Sequence, residues 1–137
     1  MRDSFPENVD FYIGLRDTDL VLDASNSSTE PGSEIILWNK REEDNENQKW
    51  IYDDKQIRNK KTGLVLTAPQ LSRNVAVDQQ HPTGAETQRF EYYDYTISAE
   101  ANEDLVLGIL GAKSEGARVA LVPRDNDSDL QQWTIIA

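Results

Sequence analysis

The sequence predicts an all-β barrel with pseudo-threefold symmetry, and three observations carry that expectation. Four landmarks recur in one order, three times along the chain. Each is a short β-branched, aliphatic or aromatic run bounded by polar turn residues, the pattern of a strand. No window holds a sustained apolar period of about 3.6 residues, so no long helix is expected.

The landmarks in order are as follows. The first lies around Ile13, Ile57 and Ile97. The second is Leu-Val-Leu, beginning at Leu20, Leu64 and Leu105, in steps of 44 and 41 residues. The third is Ile35-Ile36-Leu37, Val75-Ala76-Val77 and Val119-Ala120-Leu121. The fourth is Gln-x-aromatic: Gln48-Lys49-Trp50, Gln88-Arg89-Phe90 and Gln131-Gln132-Trp133, in steps of 40 and 43 residues. In the first copy Phe11-Tyr12-Ile13, Leu20-Val21-Leu22, Ile35-Ile36-Leu37 and Trp50-Ile51-Tyr52 read as the four strands. Asp17-Thr18-Asp19 and Lys61-Thr62-Gly63 are turns between the first two strands of their copies. Asn26–Gly32 and Asp44–Asn47 are loops. The repeats fall at 5–54, 55–94 and 95–137, within a single domain spanning 1–137. An aromatic at one place per repeat suits packing. Three such rings can meet near the pseudo-axis and fill a common core. The Gln amide suits backbone groups that irregular loops leave unpaired.

Composition narrows the function. With 37% hydrophobic and 28% charged residues, the chain reads as globular rather than disordered. No apolar run approaches the ~18 residues of a membrane span. The N-terminus is polar, is broken by Pro6 and lacks an apolar h-region. The expected location is cytoplasmic, or secreted without a visible signal peptide. The absence of cysteine excludes disulfides, thiolate metal sites and cysteine nucleophiles. A net charge of -11 argues against nucleic acid and against anionic membranes, since the counterion-release contribution has the wrong sign.

Three repeats of about forty residues, each closing on Gln-x-Trp or a near variant, resemble the ricin B-chain type of β-trefoil lectin. The resemblance runs from about Phe11 to the C-terminus and implies a β-trefoil fold. It also implies what a sugar site needs: an Asp just after the second strand, an aromatic just after the third, and an Asn directly before the Gln. The first repeat has all three, as Asp23, Trp38 and Asn47, with Gln48 behind them. It departs from the family at Ile36, where a polar residue often assists the sugar hydroxyls. In the second repeat Thr67 replaces the Asp, Asp78 takes the aromatic's place and Thr87 precedes the Gln. In the third, Gly108, Val122 and Leu130 stand at those places. One working site is therefore expected, in the first repeat, and the resemblance implies galactose or N-acetylgalactosamine as its ligand.

The chemistry of these residues agrees with that expectation. A pyranose has an apolar face of C–H groups, which a flat aromatic surface suits. A carboxylate accepts charge-assisted hydrogen bonds from two vicinal hydroxyls. An amide both donates and accepts, so Asn47 could read hydroxyl orientation. Trp38 would stack, Asp23 would clamp a diol, Asn47 would add a directional bond and Gln48 would support the site. A shallow site of this kind should bind at roughly millimolar to high micromolar strength.

Other chemistry finds less support. Asp125-Asn126-Asp127-Ser128-Asp129 lacks the Gly and distal Glu of a calcium loop, and reads as a solvated turn. His81 is the only histidine, too few for the usual zinc site, and no Gly-x-Ser-x-Gly or Walker A motif is present. The expected protein is non-enzymatic and uses no metal or cofactor. The alternative reading is a protein-binding trefoil, such as a protease inhibitor. Its contacts would come from Asn26–Gly32, Leu71–Asn74 or Gly111–Gly116. A third reading is a targeting module of a larger enzyme or toxin.

Overall fold

A computed structural model describes residues 4–137. The first third of the chain forms β1 (Tyr12–Leu15), β2 (Leu20–Ala24), β3 (Ser33–Asn39) and β4 (Trp50–Asp53). The second forms β5 (Gln56–Asn59), β6 (Val65–Thr67), β7 (Val75–Ala76), β8 (Asp78–Gln80) and β9 (Phe90–Tyr93). The last forms β10 (Thr96–Ala99), β11 (Asn102–Ile109), β12 (Val119–Pro123) and β13 (Trp133–Ile136). Helix among the described residues is limited to 3-10 turns at Ser25–Ser27, Glu46–Gln48 and Glu86–Gln88. The architecture is the all-β trefoil that the repeats predict. The strands form two sheets, ordered β13-β1-β2-β3-β8-β6-β5-β4 and β7-β12-β11-β10-β9.

Each repeat closes on itself through the same backbone bond. The N–H of the Gln-x-aromatic ring residue donates to the carbonyl just ahead of the repeat's first strand. The pairs are Trp50 to Phe11 (2.8 Å), Phe90 to Lys55 (2.9 Å) and Trp133 to Tyr95 (2.7 Å). Successive repeats join through two-residue hairpin loops, Asp54-Lys55 and Asp94-Tyr95, whose four residues all have positive φ. That is the requirement of the type I′ turn, whose twist matches the flanking strands.

The period of two sorts each strand into an inner and an outer row. Leu20, Leu22, Ala24, Ile35 and Leu37 point inward and are buried. They share one core with Trp50, Phe90 and Trp133. Two of those rings also anchor to a strand: the indole N–H of Trp50 donates to the Leu22 carbonyl (3.2 Å), and that of Trp133 to the Leu107 carbonyl (2.9 Å). The Phe90 ring carries no N–H to repeat the bond. One end of the core is closed by Phe5, whose ring centroid lies 5.5 Å from Phe11, 4.4 Å from Tyr52 and 5.4 Å from Tyr92. The Tyr52 hydroxyl donates to the Phe90 carbonyl at 2.6 Å, and burial pushes its pKa up to about 12.

One landmark is displaced from its expected register. Val75-Ala76-Val77 does not correspond to Ile35-Ile36-Leu37. β7 pairs with β12, and the chain then changes sheets at Val77, so that β8 pairs with β6 and β3. Leu22 faces Leu37, Leu66 faces Gln79 and Leu107 faces Leu121. Gln79 therefore occupies the inner-row place of two leucines and is fully buried. Its amide is satisfied in both senses. It donates to the Ser28 carbonyl and the Ser33 hydroxyl, both at 2.9 Å, and accepts from the Thr62 hydroxyl at 2.8 Å. A polar residue survives there because no group is left unpaired.

Candidate functional site

The outer row of the β2–β3 ladder carries the site. Val21 faces Trp38 and Asp23 faces Ile36, so these four side chains share one face. Asp23 and Trp38 lie inside their strands rather than just after them, because the ladder runs from the Leu20–Asn39 pair to the Ala24–Ile35 pair. Trp38 leaves 38% of its surface exposed, whereas Asp23 is 3% exposed. Together with Ser25, Asn26, Ser27, Ile36, Arg41 and Asn47 they line a cavity of about 490 Å³. The structure thus brings Asp23, Trp38 and Asn47 to one cavity, with Gln48 fully buried behind them.

Asp23 is the centre of a network. Asn47 Nδ2 donates to Asp23 Oδ1 at 3.0 Å, and Gln48 Nε2 donates to Asp23 Oδ2, also at 3.0 Å. Arg41 Nη1 stands 3.5 Å from Asp23 Oδ2. Each carboxylate oxygen has two lone pairs, so acceptor capacity remains on Oδ1 after these contacts. Burial raises the Asp23 pKa above the ordinary carboxylate value; the Gln48 hydrogen bond and the Arg41 charge partly oppose it.

Asn47 is held from every side. Its second amide hydrogen goes to the Ala24 carbonyl at 3.1 Å, so both donors are engaged within the protein. Its Oδ1 accepts from Arg41 Nη2 at 2.6 Å, and its carbonyl accepts from Asn59 Nδ2 at 2.9 Å. Arg41 and Asn59 are neighbours of Asn47 that the sequence does not single out. Arg41 is fixed by the Asp44 carbonyl, 3.1 Å from its Nε and 3.0 Å from its Nη2. The available signal was slight: Arg41 is a basic residue in a loop otherwise dominated by Asn and acids. Asn59 caps its own turn, accepting from the Lys61 and Thr62 N–H groups.

The repeated Gln has one job in all three copies, and that job fixes the correspondence between repeats. Its Nε2 donates to the carbonyl that ends the third strand: Asn39 (2.9 Å), His81 (2.9 Å) and Pro123 (2.8 Å). Its Oε1 accepts from the N–H two residues on: Arg41 (2.9 Å), Thr83 (2.7 Å) and Asp125 (2.8 Å). The residues before those carbonyls are Trp38, Gln80 and Val122. Gln80, not Asp78, therefore takes the place of the aromatic in the second repeat. Asp78 faces Thr67, as Ile36 faces Asp23. Asp78 Oδ1 is buried without a hydrogen-bond partner, and burial raises its pKa. At the third repeat the place is filled. A Cβ added to Gly108 would meet Val122 Cγ2 at 2.7 Å and the Leu130 carbonyl at 3.2 Å, leaving no room for a carboxylate.

Comparison with known proteins agrees with this fold. The family model described as the ricin-type beta-trefoil lectin domain matches residues 10–134. Among solved structures, the mdaA-1 domain superposes with a TM-score of 0.87 at 30% identity, covering 96% of this chain and 91% of that one. The earthworm R-type lectin C-half, solved in complex with GalNAc, gives a TM-score of 0.83 at 24% identity, covering 96% and 98%. The agglutinin from Abrus precatorius gives 0.81 at 27% identity, covering 93% of this chain and 48% of that one. A comparison with curated protein sequences gave no match.

Proposed function

The chain belongs to the ricin-type β-trefoil lectin domain family, a family of carbohydrate-binding modules, and on that premise we propose that it has one galactose- or N-acetylgalactosamine-type site, in its first repeat. The observation that carries the proposal is the pairing of a carboxylate with an exposed ring. Asp23 and Trp38 share a cavity, while the other two repeats hold Thr67 with Gln80 and Gly108 with Val122.

The roles follow from what each group has free. Trp38 offers its exposed face to the C–H side of the sugar. Asp23 Oδ1 accepts from one hydroxyl, and Oδ2, which Arg41 Nη1 approaches only to 3.5 Å, accepts from its neighbour to complete a diol clamp. Asn47 has both hydrogens engaged, so toward a sugar it acts as an acceptor only. The donor to a sugar oxygen is Arg41, whose Nη1 touches Asp23 only at 3.5 Å. Gln48 orients Asp23 without reaching the ligand. Ile36 adds apolar contact beside the ring and no hydrogen bond.

A glycan array and calorimetry on wild type, Asp23→Ala and Trp38→Ala provide the test. Wild type should bind galactosides or N-acetylgalactosaminides with a stoichiometry near one. Asp23→Ala should weaken binding by about 1.5–3 kcal/mol, the scale of a charge-assisted hydrogen bond, and Trp38→Ala by about 0.5–1.5 kcal/mol, the scale of an aromatic contact. Both variants should keep the wild-type circular dichroism. Gln48 and Asn47 retain the Asn39 and Ala24 carbonyls as partners when Asp23 is truncated, and Trp38 is not a core ring. Binding that persists in both variants, or a stoichiometry near three, contradicts the proposal.

A further inference from the structure

The cavity at Asp23 and Trp38 does not end at Asn47. A second cavity of about 380 Å³ adjoins it, lined by Ser27, Asp44, Asn45, Glu46, Asn47 and Lys61. Ser27 and Asn47 line both, so the two cavities adjoin across these residues. We propose that together they take a glycan of at least two sugar residues, the second a neutral hexose lying over Ser27 and Asn47 against Asp44, Glu46 and Lys61. The proposal rests on the first-repeat site argued above and goes beyond it in naming the size and charge of the ligand.

Three features of the second cavity support it. All six residues that line it are polar or charged, which suits a ring whose rim is hydroxyl. The side chains of Ser27, Asp44, Glu46 and Lys61 make no hydrogen bond or ion pair with any described residue, so their donors and acceptors are available. By contrast, most basic residues near them are paired, as Lys60 is with Asp10 and Arg41 with Asp23. Two carboxylates accept from hydroxyls and one ammonium donates to a ring or hydroxyl oxygen. Their sum is negative, within a chain of net charge -11, so an anionic second sugar is repelled rather than drawn in.

The walls are also set in unusual backbone. Ser27 and Asp44 in the second cavity have positive φ, at 52° and 48°, as does Asn26 in the first, at 57°. Left-handed conformations at non-glycine residues are costly and tend to gather where a ligand is met. Lys61 is held at its own N–H by Asn59 Oδ1 (3.0 Å), so its side chain can be truncated without disturbing the turn.

Calorimetry on the full chain tests the idea with methyl β-galactoside, methyl N-acetylgalactosaminide, lactose, melibiose and sialyllactose. At least one neutral disaccharide should bind about tenfold more tightly than the methyl glycosides, a difference of ~1.4 kcal/mol. The double variant Glu46→Gln, Lys61→Ala should lose that gain and bind the methyl glycosides as wild type does. Sialyllactose should bind more weakly than lactose. Disaccharides no tighter than methyl glycosides, a gain that survives the double variant, or a preference for sialyllactose would each overturn the inference and leave the first-repeat site standing. Failure of wild type to bind either methyl glycoside or any disaccharide would instead remove the site itself, and the inference with it.

Discussion

Asp23 combines deep burial with a need for charge, and the two act in opposite directions on its proton. Its ionised form is what accepts from Asn47, Gln48 and Arg41, and what the proposed diol clamp requires. Burial nevertheless raises its pKa above the value of 3.8 expected in an unfolded chain. For stability the sign is therefore unfavourable at neutral pH. A carboxyl whose folded pKa lies above its unfolded pKa gains relative stability as pH falls from the first toward the second. For binding the sign is reversed, because the neutral acid loses its charge-assisted bonds as pH falls through the raised folded value. Galactoside affinity should accordingly begin to decline at a higher pH than an unburied aspartate would set. The fold should persist through that decline. Titrations from neutral pH down to the acid limit of the fold, with circular dichroism at each point, measure both. An affinity that stays flat until the fold itself is lost would show that ionised Asp23 is not the clamp. Arg41 belongs to the same balance, since its charge holds Asp23 ionised and its Nη2 fixes Asn47.

Among the elements, the Gln-centred loop closure makes the clearest comparison, because it occurs three times with one variable changed. Gln88 bridges His81 and Thr83 much as Gln48 bridges Asn39 and Arg41, yet only Gln48 also supports a carboxylate. Gln88→Ala should cost about 1–3 kcal/mol of unfolding free energy by orphaning partly buried backbone groups, and should leave sugar binding unchanged. Gln48→Ala should cost a similar amount and also weaken binding, because Asp23 loses its Oδ2 donor. Denaturant unfolding and calorimetry of the pair check this; equal effects on binding would mean that Gln48 supports the fold alone. The strand elements were legible in the sequence because Leu-Val-Leu and Gln-x-aromatic sit where side-chain period and local geometry are the same in every copy. The register of β8 was not. Val75-Ala76-Val77 matches Ile35-Ile36-Leu37 in hydropathy, but the chain changes sheets there, and a buried Gln79 replaces a leucine through partners from another repeat. Arg41 was hidden for a related reason. A long side chain in a polar loop is placed by the Asp44 carbonyl and Asn47 Oδ1, which only the folded loop brings together.

At the scale of the whole molecule, threefold symmetry turns the question of one site into an experiment on the other two. The second repeat keeps the frame of the first: Gln88 Nε2 already points at Thr67 Oγ1, 3.3 Å away, just as Gln48 Nε2 points at Asp23. What it lacks is the carboxylate, the ring and the Asn. Thr67→Asp, Gln80→Trp and Thr87→Asn together should build a second site and raise the stoichiometry from near one to near two. Its affinity should lie in the same roughly millimolar to high micromolar range as the first, because a similarly small area is buried. Placing the ring at Asp78 instead, with the other two changes kept, should build none. Asp78 corresponds to Ile36, and a ring there would lie directly opposite position 67 rather than one step along the ladder. The third repeat should resist the same treatment. Gly108→Asp drives a Cβ to within 2.7 Å of Val122 Cγ2, and the Leu130 carbonyl behind it is backbone and cannot rotate away. That substitution should destabilise by about 1–3 kcal/mol through overpacking, without adding a site. Calorimetric stoichiometry for the three designs, beside their unfolding midpoints, distinguishes the outcomes. A second site from the Asp78→Trp design, or none from the Gln80→Trp design in a folded protein, would show that the correspondence drawn from the glutamine bonds does not govern sugar recognition.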